Sequence, residues 1–140
     1  MVILLVLDLH VHAYGASEAD PGNHAYKAIR GPGRLLELPV FLPDVHLGSA
    51  YLAYSMQAPR ERPSGYSTTA PVVADVVARK LRALNCGGWT DPRAYGVRFV
   101  TLHRGLTSPR CADNAARALR AHGFRVVATD GGVTLYMPIA

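Results

Sequence analysis

The sequence has little charge. Asp, Glu, Lys and Arg make up 18% of its 140 residues, against about 25% in ordinary soluble proteins, while hydrophobic residues make up 49%. That balance excludes a disordered chain, and it predicts that part of the surface faces something other than water. Cysteine is scarce: Cys86 and Cys111 are the two in the chain, with no CxxC and no Cys/His ladder, which argues against a zinc site built on them. Two small buried thiols are the plain reading of the pair, and a bridge in an oxidising compartment is the alternative. Basic runs are also missing. The positive side of the +5 net charge is nearly all arginine, scattered from Arg30 to Arg125, so the chain reads as a solvated arginine surface and not as a specific nucleic-acid binder. Neither a phosphate loop nor a Gly-x-Ser-x-Gly nucleophile turn occurs, because Gly31-Pro32-Gly33 leads into a strand where a phosphate site needs a helix.

A chain of 140 residues suits one domain with a single core. Its longest apolar run is Met1 to Leu7, MVILLVL, well short of the roughly 20 residues that cross a bilayer. A signal peptide is expected to carry basic residues before its apolar core, and this run has none, so the expectation is against one. Two readings remain: a buried strand, or the end of a membrane-spanning helix whose start lies upstream. The expected organisation is an apolar segment over 1–13, a polar loop, and one α/β domain over 22–140.

Within that domain Asn23 to Arg30 reads as a short helix capped by Asn23 and stopped at Gly31. Arg34 to Val40 reads as a strand closed by Pro43, Ser49 to Met56 has no clear period, and Pro59 to Ser67 is a loop. A helix starting at Pro71 shows Val72, Val73, Val76, Val77, Leu81 and Leu84 as its apolar face and ends at Gly87-Gly88. Asp91 to Tyr95 suits a single turn, and Val97 to His103 has the β-branched content of a central strand. Ser108-Pro109 opens a helix that stops at Gly123, where His122 complements the helix dipole. Phe124 to Thr129 and Val133 to Met137 flank Asp130-Gly131-Gly132 and form a hairpin. Alternating strands and helices of this kind predict a small mixed β-sheet with helices packed on it, ending in a C-terminal β-hairpin.

Asp8, His10 and His12 alternate with Leu9 and Val11, so on a strand all three face one way and two imidazoles can hold a metal ion. This DLHVH run resembles the first metal motif of amidohydrolases and of histidinol-phosphatase-type phosphoesterases, which implies a truncated metal-dependent hydrolase. Those enzymes need further ligands at later strand ends. Of His24, His46, His103 and His122, only His103 is expected at one. A chance match at a membrane boundary is the preferred account, with histidine suited to an interface.

A second resemblance covers most of the chain. It rests on Ala25 to Arg30 (AYKAIR), Leu35 to Val40 (LLELPV), Gly65-Tyr66-Ser67 with Pro71, Gly96 to Arg104 (GVRFVTLHR) and Gly131 to Tyr136 (GGVTLY), in that order. Together they resemble the C-terminal extracytoplasmic domain of bacterial GT-C type membrane glycosyltransferases of the YfhO-like group. The loop departs from that pattern: Arg60-Glu61-Arg62-Pro63 lacks the aromatic residue often placed before Arg-Pro. The resemblance implies an accessory domain at the outer face of the bacterial plasma membrane, next to the transmembrane portion of a parent glycosyltransferase. It implies a polyprenyl-phosphate lipid or the membrane surface as partner, no cofactor, and no complete active site on this chain. Beside it and the truncated hydrolase stands a third reading, a free-standing small α/β binding protein whose basic surface contacts anionic lipid or nucleic acid.

The residue types in the loop fit that role. Tyr51, Tyr54 and Tyr66 offer flat faces and hydroxyls for a sugar ring, Ser67 follows them, and Arg60 and Arg62 suit a lipid phosphate. The segment from Ser49 to Ser67 is therefore expected to face the membrane domain. Alanine at Tyr54, Arg62 and Tyr66 is expected to cost little stability.

Overall fold

The structure is a computed structural model and describes residues 22–42, 48, 50–64 and 71–139. Met1 to Leu7, the DLHVH run, Pro43, His46, Tyr66 and Ser67 lie outside the described residues.

The mixed α/β fold matches the sequence expectation. Four strands form one sheet in the order β1-β2-β4-β3, with β1 Arg34–Leu38, β2 Val97–His103, β3 Phe124–Asp130 and β4 Val133–Pro138. β1 runs parallel to β2, whereas β4 lies between β2 and β3 and is antiparallel to both. The helices are α1 His24–Lys27, α2 Ala50–Gln57, α3 Val72–Leu81 and α4 Pro109–Ala121. Single 3-10 turns occupy Arg82–Cys86, Pro92–Tyr95 and Arg104–Leu106.

Local chemistry accounts for the boundaries. The Asn23 side chain accepts from the Ala25 N–H and starts α1, and the Ser108 hydroxyl accepts from the Cys111 N–H with Pro109 in the first turn of α4. Gly131 and Gly132 both have positive φ, 53° and 78°, the combination a two-residue hairpin turn of the primed type demands. Gly87, with φ 91°, ends the turn after α3, and a Cβ there would lie 2.8 Å from the Asn114 side chain on α4. Only glycine lets those two segments approach so closely.

Strand alternation divides the core into two faces. Leu36, Leu38, Val100, Leu102 and Tyr136 face α3 and α4, where Ala78, Leu81, Ala115, Ala116, Leu119 and Phe124 complete the packing. On the opposite face Leu35, Phe99, Val133 and Leu135 pack under Ala25, Tyr26 and Ile29 of the α1 region and against Ala58. The residues after α2 then run along the outside of β1, where the Leu35 N–H donates to the Glu61 carbonyl at 3.0 Å and Arg34 pairs with Glu61. This covers part of an otherwise open sheet edge.

Two expectations need correction, and one residue gains a second contact. α3 buries Ala74, Ala78 and Leu81 and leaves Val72, Val73 and Val76 exposed. The inner stripe at 74, 78 and 81 has the same helical spacing as the valine stripe, and its small residues let the helix sit closer to the sheet. The cysteines are not buried thiols: Cys86, at the exposed turn after α3, is disulfide-bonded to Cys111 in the first turn of α4. His122 does more than end a helix, because its ring stacks on Trp89 with centroids 3.8 Å apart.

Candidate functional site

β1 and β2 place Glu37 and Thr101 directly opposite each other, and His103 follows two residues later on the same face of β2. All three are buried, with Glu37 only 5% exposed. A carboxylate in such a position requires partners. The Tyr26 hydroxyl, delivered by α1, donates to Glu37 Oε1 at 2.6 Å, and Arg62 grips the same carboxylate through Nε to Oε2 at 2.7 Å and Nη2 to Oε1 at 3.2 Å. The remaining guanidinium nitrogen, Nη1, donates to the Arg60 carbonyl.

Donor counting assigns the histidine tautomer. Tyr26 has one hydroxyl proton and gives it to the carboxylate, so the 2.8 Å contact between Tyr26 Oη and His103 Nε2 requires Nε2 to carry the proton and donate it. Thr101 Oγ1 lies 3.3 Å from the same phenol oxygen. Aromatic rings close the cluster. Tyr54 stacks on Tyr26 at 4.5 Å, and Tyr51 and Tyr54 each sit 5.0 Å from the His103 ring. The Tyr51 hydroxyl donates to the Pro39 carbonyl at 2.7 Å.

Burial governs the protonation states. It holds the His103 imidazole down at about 4 and pushes the Tyr26 and Tyr51 phenols well up, with the Glu37 charge adding to the push. Burial also raises the Glu37 carboxyl, against the hydrogen bond and charge of Arg62. Neutral imidazole in the folded protein has a measurable consequence. On acidification the unfolded chain takes up a proton at His103 near the ordinary value of about 6.5, whereas the folded chain does so only near 4. The His103 contribution to stability is therefore complete above about pH 6.5 and is lost as the pH falls toward 4. Glu37, raised in the folded state, works in the opposite sense. Urea midpoints measured from pH 7 to 4 are expected to fall less steeply in His103→Gln than in the wild type, and parallel curves would show that His103 is not the group responsible.

A shallow cleft opens beside this cluster, with a cavity volume of about 50 Å³. Glu37 and Arg62 supply its charged part, Val40, Phe41, Tyr51 and Leu52 its apolar part, and Ser55 and Ser64 its hydroxyls. Room of this size takes in one edge of a ligand and leaves the rest outside.

The structure thus brings together three of the residues the sequence singled out, Tyr51, Tyr54 and Arg62. It gives them different surroundings from those expected. Tyr51 is buried, Tyr54 is half-buried on Tyr26, and the Arg62 fork is occupied by a carboxylate, so a phosphate there has to compete with Glu37. Arg60 lies with its guanidinium 5.8 Å from the centre of the Phe99 ring. Tyr66 and Ser67, like Asp8, His10 and His12, fall outside the described residues. Among the described residues no group of three metal-ligating side chains occurs, and no helix is long and apolar enough to cross a membrane.

Sequence reasoning missed Tyr26, Glu37, Thr101 and His103. One signal was present: Glu37 is a lone carboxylate inside the apolar run Leu35 to Val40, where an unpaired charge is untenable. Comparison of the chain with protein-family models, with curated proteins and with solved structures found no match.

Proposed function

We propose that this chain is the extracytoplasmic accessory domain of a GT-C type membrane glycosyltransferase that uses polyprenyl-phosphate-sugar donors. In this reading the domain positions the sugar of a lipid-linked donor or acceptor, and the transfer chemistry lies outside the chain. The observation that carries the reading is the cleft, which Tyr51 and Phe41 line together with the Glu37–Arg62 pair and two serine hydroxyls. Aromatic side chains suit the apolar C–H side of a sugar ring, and the hydroxyls suit its edge. The Cys86–Cys111 disulfide supports an oxidising compartment.

The shape of the cleft refines the role expected of its arginine. Because Arg62 is already held bidentately by Glu37, the sugar and not the phosphate is the part that meets the cleft.

Saturation-transfer NMR of the full chain with methyl glycosides and with a short-chain prenyl-phosphate sugar tests this. Transfer to sugar-ring protons is expected, together with its loss in Ser55→Phe, which fills the cleft from a surface helix. Absence of transfer from every sugar tried, or transfer that survives Ser55→Phe, rules out the cleft as the site.

A further inference from the structure

α3 is apolar on two sides. Its inner side, Ala74, Ala78 and Leu81, is in the core, yet Val72, Val73 and Val76 on its outer side are 82%, 68% and 45% exposed. A surface helix of a water-soluble domain ordinarily carries polar residues there. Three β-branched side chains at neighbouring helical positions, i, i+1 and i+4, are a face and not scattered single exposures.

Charge selects the occupant. Arg79 and Lys80 follow the valines in the last turn of α3, Arg82 caps its end, and all three are exposed. The acidic neighbour, Asp75, is paired with Arg79 at 2.7 Å. Lys80 lies one turn beyond Val76 on the same side of the helix, and the net charge of +5 sets two copies of the chain against each other as like charges. An anionic lipid surface has no such conflict, since it takes apolar side chains below the headgroups and cations among them. We infer that the outer face of α3 is a membrane-contact surface, with Val72, Val73 and Val76 entering the boundary between headgroups and acyl chains while Lys80 and Arg82 meet anionic lipid. This face shares no residue with the cleft, so vesicle contact and sugar binding can succeed or fail separately.

A tryptophan placed on the face reports insertion at that site whatever other part of the chain touches lipid. Val73→Trp is compared with wild type, whose own Trp89 sets the background, and with Lys27→Trp on α1, across the sheet from α3. Each full-length variant is mixed with vesicles of phosphatidylglycerol and phosphatidylcholine, with or without bromine on the acyl chains. The emission added by Val73→Trp is expected to fall at least twofold in brominated vesicles, and that added by Lys27→Trp to stay unchanged. In the Val73→Trp background, Lys80→Ala with Arg82→Ala is expected to weaken vesicle affinity about fivefold per cation removed, the equivalent of about 1 kcal/mol each. No quenching at position 73, equal quenching at position 27, or a lipid-free blue shift at position 73 that tracks dimerisation each overturns the inference.

Discussion

Arg62→Ala is expected to destabilise the protein by about 3–5 kcal/mol, the cost of removing one partner from a buried ion pair. Glu37 is left inside the fold with the Tyr26 hydroxyl as its one remaining side-chain donor among those described, and the total stability of a domain is only about 5–15 kcal/mol. The size of the loss comes from the orphaned carboxylate and not from the value of the pair itself. Two controls separate these. Glu37→Leu combined with Arg62→Met is expected to recover most of the loss at pH 7, because apolar replacements leave no charge behind. The single Arg62→Ala variant is expected to lose less at pH 4.5 than at pH 7.5, since burial raises the Glu37 carboxyl and its protonation in acid removes the uncompensated charge. Urea unfolding at both pH values measures the difference. A deficit below about 1 kcal/mol, the range of exposed ion pairs, would place Arg62 in solvent and restore the sequence expectation that alanine there is tolerated.

Opening the disulfide is expected to cost about 3.5 kcal/mol. Cys86 and Cys111 are 25 residues apart, and restricting a loop of that length in the unfolded chain has about this value in the chain-entropy account. The bridge ties the turn after α3 to the first turn of α4, two segments already in contact at Gly87 and Asn114, so the folded state is expected to change little on reduction. The oxidised protein and Cys86→Ser/Cys111→Ser are compared by urea midpoint, with unchanged far-ultraviolet circular dichroism of the folded forms. Equal midpoints in the two forms would remove the bridge as a source of stability.

How far the sequence was legible follows the range of the interactions involved. The hairpin at Gly131-Gly132, the caps at Asn23 and Ser108 and the strand Val97–His103 depend on neighbours along the chain, and they stand where the residue types put them. α2 did not show itself because Ala50 to Gln57 buries only Tyr51 fully, too little for a periodic signal. α3 was found with half of its expected apolar face in place: Leu81 and Leu84 are buried and Val77 packs on the core, whereas Val72, Val73 and Val76 point out. Valines outweigh alanines in any hydrophobic pattern, whereas the sheet selected the stripe that packs closest. The polar cluster failed for a different reason. Tyr26 meets Thr101 and His103 across 75 and 77 residues of chain, and alternation places Thr101 and His103 on one face without saying which strand or helix comes to cover them. Tyr51, Tyr54 and Arg62 were selected as residue types suited to binding. Their contacts with Tyr26, Glu37 and His103 became visible only when the strands were paired.

The clasp between the start of α1 and the end of β3 sets the order in which this domain can be completed. Asn23 Nδ2 donates to the Asp130 carbonyl, and the His24 N–H to the Asp130 carboxylate at 2.7 Å, across 107 and 106 residues. β4, the last strand, is an interior strand of the sheet, between β2 and β3. A ribosome releases α1 early, but the hairpin tip that holds it and the strand that fills the sheet follow much later in the chain. Until then Tyr26 has no finished sheet to settle on, and Leu35 and Phe99 wait uncovered. Such late, long-range closure makes for slow folding, and it makes the nascent domain a client for whatever holds apolar chains in solution during synthesis. A nonsense change between Asp130 and Val133 would therefore cost the whole domain and not only its final hairpin.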